Sequence, residues 1–155
     1  MRFAADQSEQ TRRLRAELRR AQAVTPALAA DVLALAEASR LASGGRARAA
    51  RIRELIRAEA WTDGALALIE LGLPQWKLRR IVYEDGEWHC SLGKHWPLPA
   101  WLDDVVDVSH PMLPLALLTA FVQACSVPPG STETARTVPS VRPATAHAMC
   151  CDNFA

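Results

Sequence analysis

The apolar positions of this chain keep a helical period up to residue 75 and then change to a strand period. From Gln7 to about Ala23, Leu14, Leu18 and Ala21 share one face and arginines cover the rest, which predicts a first helix with a thin apolar stripe. Thr25-Pro26 sets a capping hydroxyl before a proline at the first helical position. A second helix is therefore predicted to run to about Ala42, with Leu28, Val32 and Leu35 as its apolar line, and Ser43-Gly44-Gly45 breaks it. A third helix, about Arg46–Ala60, puts Ala49, Ile52 and Ile56 on one face. Trp61-Thr62-Asp63 reads as a break with a fresh cap, followed by a short helix, Gly64–Leu71, that Gly72 and Pro74 end.

The segment Trp76–Leu92 runs W-K-L-R-R-I-V-Y, E-D-G-E, W-H-C-S-L. Asp85-Gly86 supplies the two left-handed positions of a type I′ turn between runs of strand-forming residues, at about 76–83 and 87–92. A two-residue loop fixes the register: Glu84 opposite Glu87, Tyr83 opposite Trp88, Val82 opposite His89, Ile81 opposite Cys90, Arg80 opposite Ser91. Ile81, Tyr83, Trp88, Cys90 and Leu92 then form the face expected to be buried, and Arg80, His89 and Ser91 point the other way. Beyond Trp96-Pro97-Leu98-Pro99, a short helix is expected at about Ala100–Asp107, with Trp101, Leu102, Val105 and Val106 inward and Asp103, Asp104 and Asp107 outward. A last helix is expected over about Pro114–Cys125.

These elements predict an α+β fold, mostly helical. A helical N-terminal arm (1–60) precedes a compact unit (61–125) in which one β-hairpin packs against two C-terminal helices, because a lone hairpin is marginal in water. Residues 126–155 mix five prolines and glycines with Ser and Thr, and are expected to be a disordered tail.

Charge sharpens this division. The net charge is +1, yet residues 1–60 hold twelve arginines against seven acids and residues 61–155 hold six bases against ten acids. Such a dipolar chain can bind a polyanion with its first part, attract its own two parts, or pair head to tail. Arginine outnumbers lysine sixteen to two beside abundant alanine, which reads mostly as coding bias. Met1-Arg2-Phe3 leads straight into polar residues, without the apolar stretch of a secretory signal. The longest dense apolar run, Leu113–Val122, is too short to span a bilayer. Four cysteines (Cys90, Cys125, Cys150, Cys151) do not make a disulfide framework, so a cytoplasmic, reducing location without membrane contact is expected.

The hairpin sequence, followed by L-P-A-W-L-D-D and H-P-M-L-P-L-A-L-L-T-A-F-V-Q-A, resembles a group of small uncharacterised bacterial proteins over about residues 65–124. The resemblance implies that this segment is a structural unit; it implies no activity, cofactor or catalytic residue.

Candidate chemistry is sparse. His89, Cys90, His95 and His110 are close in sequence, but there is no C-x-x-C pair, and adjacent strand residues such as His89 and Cys90 point to opposite faces, unsuited to one zinc ion. Cys90 with His110 lacks the spacing of a nucleophile and its base. Asp103, Asp104 and Asp107 can offer oxygen ligands to a hard cation, or form a solvated helix face. His147, Cys150, Cys151 and Asp152 can hold a soft metal, or be incidental in a tail. The five tryptophans, 61, 76, 88, 96 and 101, either build the core or line a pocket. No phosphate-loop, nucleophile-elbow, zinc-protease or dinucleotide fingerprint occurs. No catalytic, cofactor or metal residue is assigned. The strongest partner signal is Arg12, Arg13, Arg15, Arg19 and Arg20, which either contact phosphates or cover apolar surface with their stems. The expected function is therefore a non-enzymatic protein acting through a protein partner or self-association, with a nucleic-acid-associated regulator as the alternative.

Overall fold

The most apolar of the described helices occupies the centre of the fold. The structure, a computed structural model, describes residues 2–38, 46–94 and 105–127. Its elements are α1 (Arg2–Arg20), α2 (Pro26–Ala38), α3 (Arg46–Arg57), α4 (Trp61–Gly72), β1 (Trp76–Glu84), β2 (Glu87–Lys94), β3 (Val105–His110) and α5 (Leu113–Cys125). Every residue of α5 from Leu115 to Val122 is buried, as an all-round apolar helix requires. The sheet lies against one side of α5 through β2 and β3, and α1 and α4 pack against it from elsewhere. One apolar cluster includes Leu14 and Leu18 of α1, Leu68 of α4, Leu92 of β2 and Phe121 of α5. Packing therefore runs across residue 60, where charge and pattern divide the sequence.

Local chemistry explains the helix ends. The Thr25 hydroxyl accepts a hydrogen bond from the Leu28 N–H (3.2 Å), so the expected cap and the proline beside it start α2. The third helix ends without glycine. Glu59 takes φ +56°, Ala60 N–H bonds to Leu55 O (2.9 Å) and Glu59 N–H to Ile56 O (3.2 Å). That pair of bonds is a Schellman closure, with a glutamate in the left-handed position that usually belongs to glycine. The break therefore falls at 58–60, not at Trp61-Thr62-Asp63, and α4 already begins at Trp61.

The hairpin forms with the register read from its turn: Glu84 pairs Glu87, Tyr83 pairs Trp88, Val82 pairs His89, Ile81 pairs Cys90 and Arg80 pairs Ser91. Asp85 and Gly86 take φ +53° and +86°, the two left-handed residues of a type I′ turn. Arg79 is an extra residue in β1, a bulge between the Leu78–Leu92 and Arg80–Ser91 pairs.

Two expectations about the sheet's surroundings are corrected. Val105–Asp107 is not helical; it belongs to β3, which pairs antiparallel with β2 in the order β1-β2-β3. Along β3, Val106 and His110 are buried and Val108 half-buried while Asp107 and Ser109 are exposed, a period of two. The cause is backbone accounting: without β3, Trp88, Cys90 and Leu92 of β2 would leave N–H and C=O groups unpaired, and three valines in four residues favour the strand that pairs them. The hairpin thus packs against one C-terminal helix, α5, and gains a third strand. The rest of the expected helix, 100–104, and the tail expected at 128–155 lie outside the described residues. Tyr83 shares the helix-facing side with Trp88, Cys90 and Leu92 but is not buried; near the hairpin tip it stays 57% exposed.

Candidate functional site

Helices cover one side of the sheet. On that side Leu78, Leu92 and Val106 form one cross-strand row, Ile81, Cys90 and Val108 the next, and Tyr83, Trp88 and His110 the last. Tyr83 and Trp88 are in ring contact, 5.1 Å between centroids at 51°. The opposite side carries Arg80, Ser91 and Asp107 in one row, Val82, His89 and Ser109 in the next, and Glu84 with Glu87 at the turn. There Arg80, Glu84, His89, Ser91, Asp107 and Ser109 line a shallow depression of about 430 Å³. This gathering depends on β3, because Asp107 and Ser109 reach His89 and Ser91 only through the second strand pairing. The period-two run Val106-Asp107-Val108-Ser109-His110 was the sequence signal that could have found it.

The polar face supplies hydrogen-bonding groups. Among the described residues no hydrogen bond links His89 to Ser91, Ser109 or Asp107, and catalysis by a hydroxyl asks for one. Cys90 lies on the other face, buried, with burial pushing its thiol up to about 11. Cys125, at the end of α5, is pushed up to about 12 by the same cause. Cys90 and His110 do share the covered face on neighbouring strands, diagonal to one another. His110 Nδ1, however, accepts the Met112 N–H (3.0 Å), and a thiol raised by burial is a poor nucleophile. No group of three or more His, Cys, Asp or Glu able to hold a metal ion occurs among the described residues. Asp107 stands on a strand, so its expected helical spacing with Asp103 and Asp104 does not exist; those two, His95, His147, Cys150, Cys151 and Asp152 lie outside the described residues. Trp76 is in the core and Trp61 and Trp88 pack against it, while Trp96 and Trp101 also lie outside.

The edge of the sheet offers more. β1 has β2 on one side and, among the described residues, no strand on the other. The two-residue turn makes Glu84–Glu87 the hydrogen-bonded pair that closes it, and such pairs alternate along the ladder. Arg80, Val82 and Glu84 therefore bond to β2, and the N–H and C=O of Ile81 and Tyr83 point outward. The bulge at Arg79, whose guanidinium donates to Lys94 O (3.2 Å), ends this regular edge, which leaves Arg80–Glu84 as the run able to pair.

Arg12, Arg13, Arg15, Arg19 and Arg20 of α1 fall on two sides of the helix. Thr11, Leu14 and Leu18 are buried against the fold. Arg12, Arg15 and Arg19, spaced i, i+3 and i+7, follow one side of that stripe, and Arg13 and Arg20 lie on the outer side. Arg12 pairs with Glu9, and Arg15 Nε is buried without a hydrogen-bond partner among the described residues. In α3, Arg53 pairs with Glu37 of α2. The structure thus sorts the five residues into a set of three and a set of two, which their sequence spread conceals.

No helix among the described residues is long and apolar enough to cross a membrane. No protein-family model, curated protein or solved structure matches the chain.

Proposed function

We propose that this chain is a non-enzymatic, cytoplasmic protein that acts by protein contact, taking up an extended strand along the outer edge of β1. The observation that carries this reading is the regular edge run Arg80–Glu84, which includes the exposed Tyr83. Main-chain groups in such an edge give affinity to an added strand, and alternate side chains give it selectivity. Long edges of this kind are normally blunted. Here the blunting devices, Lys77 and the Arg79 bulge, sit at one end and leave the turn-proximal end open. Two free thiols, buried or half-buried, suit a reducing compartment. Tyr83→Pro tests the reading, because it removes an outward N–H without touching the ladder to β2. Affinity capture from the producing cells, with wild type beside Tyr83→Pro, is expected to lose bound protein only in the variant. Identical capture by both refutes strand addition at this edge.

A second reading, contact with nucleic-acid phosphates through Arg12, Arg13, Arg15, Arg19 and Arg20, is favoured by the flank of Arg12, Arg15 and Arg19. Its test is a gel-shift titration across salt. Binding that weakens with salt and with Arg12→Glu/Arg19→Glu supports it; absence of binding at low salt ends it.

A further inference from the structure

We infer that the strand taken up by β1 is β1 of a second copy of this chain, antiparallel and centred on Val82. The inference rests on the strand-addition reading above and names its partner and register.

The edge residues read Arg80-Ile81-Val82-Tyr83-Glu84. A two-fold axis perpendicular to the sheet preserves its faces, so each residue must meet one of the same parity in the other copy. The outward-pointing residues, Ile81 and Tyr83, must also form the hydrogen-bonded pairs. Three registers within the run meet both conditions, centred on Ile81, Val82 or Tyr83. Centring on Ile81 sets Arg80 against Val82 and leaves Glu84 opposite Leu78, across the bulge. Centring on Tyr83 sets Glu84 against Val82 and leaves Arg80 opposite Gly86, in the turn.

Centring on Val82 matches every position. Arg80 meets Glu84 twice, once at each end, on the open face. Val82 meets Val82 on the axis, and Ile81 meets Tyr83 twice on the helix-facing side. Opposite charges, β-branched pairs and an aromatic against a β-branched residue are the cross-strand pairs that stabilise antiparallel sheets. This register uses the whole regular edge between the bulge and the turn. It covers Tyr83, the most exposed large hydrophobic residue among those described, with a neighbouring isoleucine. Within one chain the Arg80 and Glu84 side chains lie only 3.7 Å apart while 61% and 59% exposed, so both ends of the motif are already on one face, and the weak exposed pair within each chain is exchanged for a cross-strand pair at each end. The product is a closed, isologous dimer with a six-stranded sheet, β3-β2-β1-β1-β2-β3.

Cross-linking tests the register in the full chain carrying Cys150→Ser and Cys151→Ser. Val82→Cys is expected to give a disulfide-linked dimer on mild oxidation, since a non-hydrogen-bonded pair brings the two α-carbons to about 4.5 Å. Arg80→Cys alone and Glu84→Cys alone are expected to stay unlinked, their own copies being about 13 Å apart along the strand. A mixture of those two variants is expected to link as a heterodimer. Light scattering is expected to show a dimer that Arg80→Glu weakens at least tenfold and that Arg80→Glu/Glu84→Arg restores. Amide exchange on the wild type needs no variant to fold: the Ile81 and Tyr83 amides are expected to gain protection as concentration rises.

A monomer at all concentrations overturns the inference. So does a dimer in which Val82→Cys fails to link and the two amides stay unprotected. In either case capture of another protein that Tyr83→Pro abolishes leaves strand addition standing, so the two readings fail separately.

Discussion

Gly72 and Phe121 touch where α4 crosses α5. A β-carbon on Gly72 would stand 2.5 Å from Phe121 Cε2 and 2.8 Å from Cζ, with the Ala36 β-carbon 3.5 Å away. Phe121 is fully buried in the central helix, so the ring cannot swing into solvent. Gly72 is thus a packing requirement, independent of backbone conformation. Gly72→Ala is expected to lower unfolding free energy by about 1–3 kcal/mol, the usual cost of overpacking a core. Urea denaturation measures it. Adding Phe121→Leu to Gly72→Ala is expected to cost less than the sum of the two single changes, because the smaller side chain vacates the space the methyl needs. Strict additivity would place the strain elsewhere.

The sequence disclosed most where one residue type decides one local geometry. Asp85-Gly86 determined the turn, the turn determined five pairs of the register, and Thr25-Pro26 determined the start of α2. The sequence was opaque where two periodicities overlap or where the usual punctuation is missing. Val105, Val106, Asp103, Asp104 and Asp107 fit a helical wheel as readily as Val106, Val108 and His110 fit a strand; only the unpaired side of β2 breaks the tie, and that is a tertiary fact. The hairpin alone puts Arg80, His89 and Ser91 on the polar face, while the arrival of Asp107 and Ser109 beside them is hidden for the same reason. Alternation puts Tyr83 on its observed side of the sheet, but it says which way a residue points, not how far α5 reaches.

The closure of α3 gives a stabilising substitution. Glu59 holds φ +56°, a region that costs an ordinary residue about 1 kcal/mol or more and costs glycine nothing. Glu59 is exposed, so its side chain gives up no burial. Glu59→Gly is expected to raise stability by about 0.5–1 kcal/mol, after the larger chain entropy of glycine in the unfolded state is subtracted. A higher thermal midpoint with an unchanged denaturant slope confirms it; a lower midpoint shows that the glutamate makes a compensating contact.

Cys90 and Cys125 set a limit on alkaline stability. Burial pushes Cys90 from 9.0 up to about 11 and Cys125 from 9.0 up to about 12. Folding therefore favours the protonated thiols. That contribution is present in full below the unfolded-state value near 9 and is lost as pH climbs through 9 toward 11 and 12. The urea midpoint is expected to hold steady from pH 7 to 8 and to fall above pH 9. Cys90→Ala/Cys125→Ala, though less stable at neutral pH, is expected to show a shallower alkaline decline. Thiol-reactive probes at pH 8 are expected to label both sites slowly in native protein and rapidly after unfolding. Rapid native labelling of Cys90 contradicts the burial.

His110 joins β3 to α5 through a single acceptor. Its side chain is buried beside Trp88 in the cross-strand row, and its Nδ1 accepts the Met112 N–H at 3.0 Å, just where the chain leaves the strand and Met112 begins the helix. Met112 has no side-chain cap of its own, so this imidazole fixes the entry of the chain into α5. An acceptor at Nδ1 implies that the other ring nitrogen carries the proton in this arrangement. His110→Phe keeps an aromatic ring against Trp88 and removes the ring nitrogens, the acceptor of the Met112 N–H among them. It is expected to cost about 1 kcal/mol, the net worth of one hydrogen bond. Amide exchange at Met112 is expected to accelerate by about tenfold, with amides deep in α5 much less affected. His110→Ala deletes both packing and acceptor, and is expected to cost about 2–3 kcal/mol more than the phenylalanine variant. Equal costs for the two variants would place the whole contribution of His110 in the hydrogen bond; an unchanged Met112 exchange rate in His110→Phe would place it in packing alone.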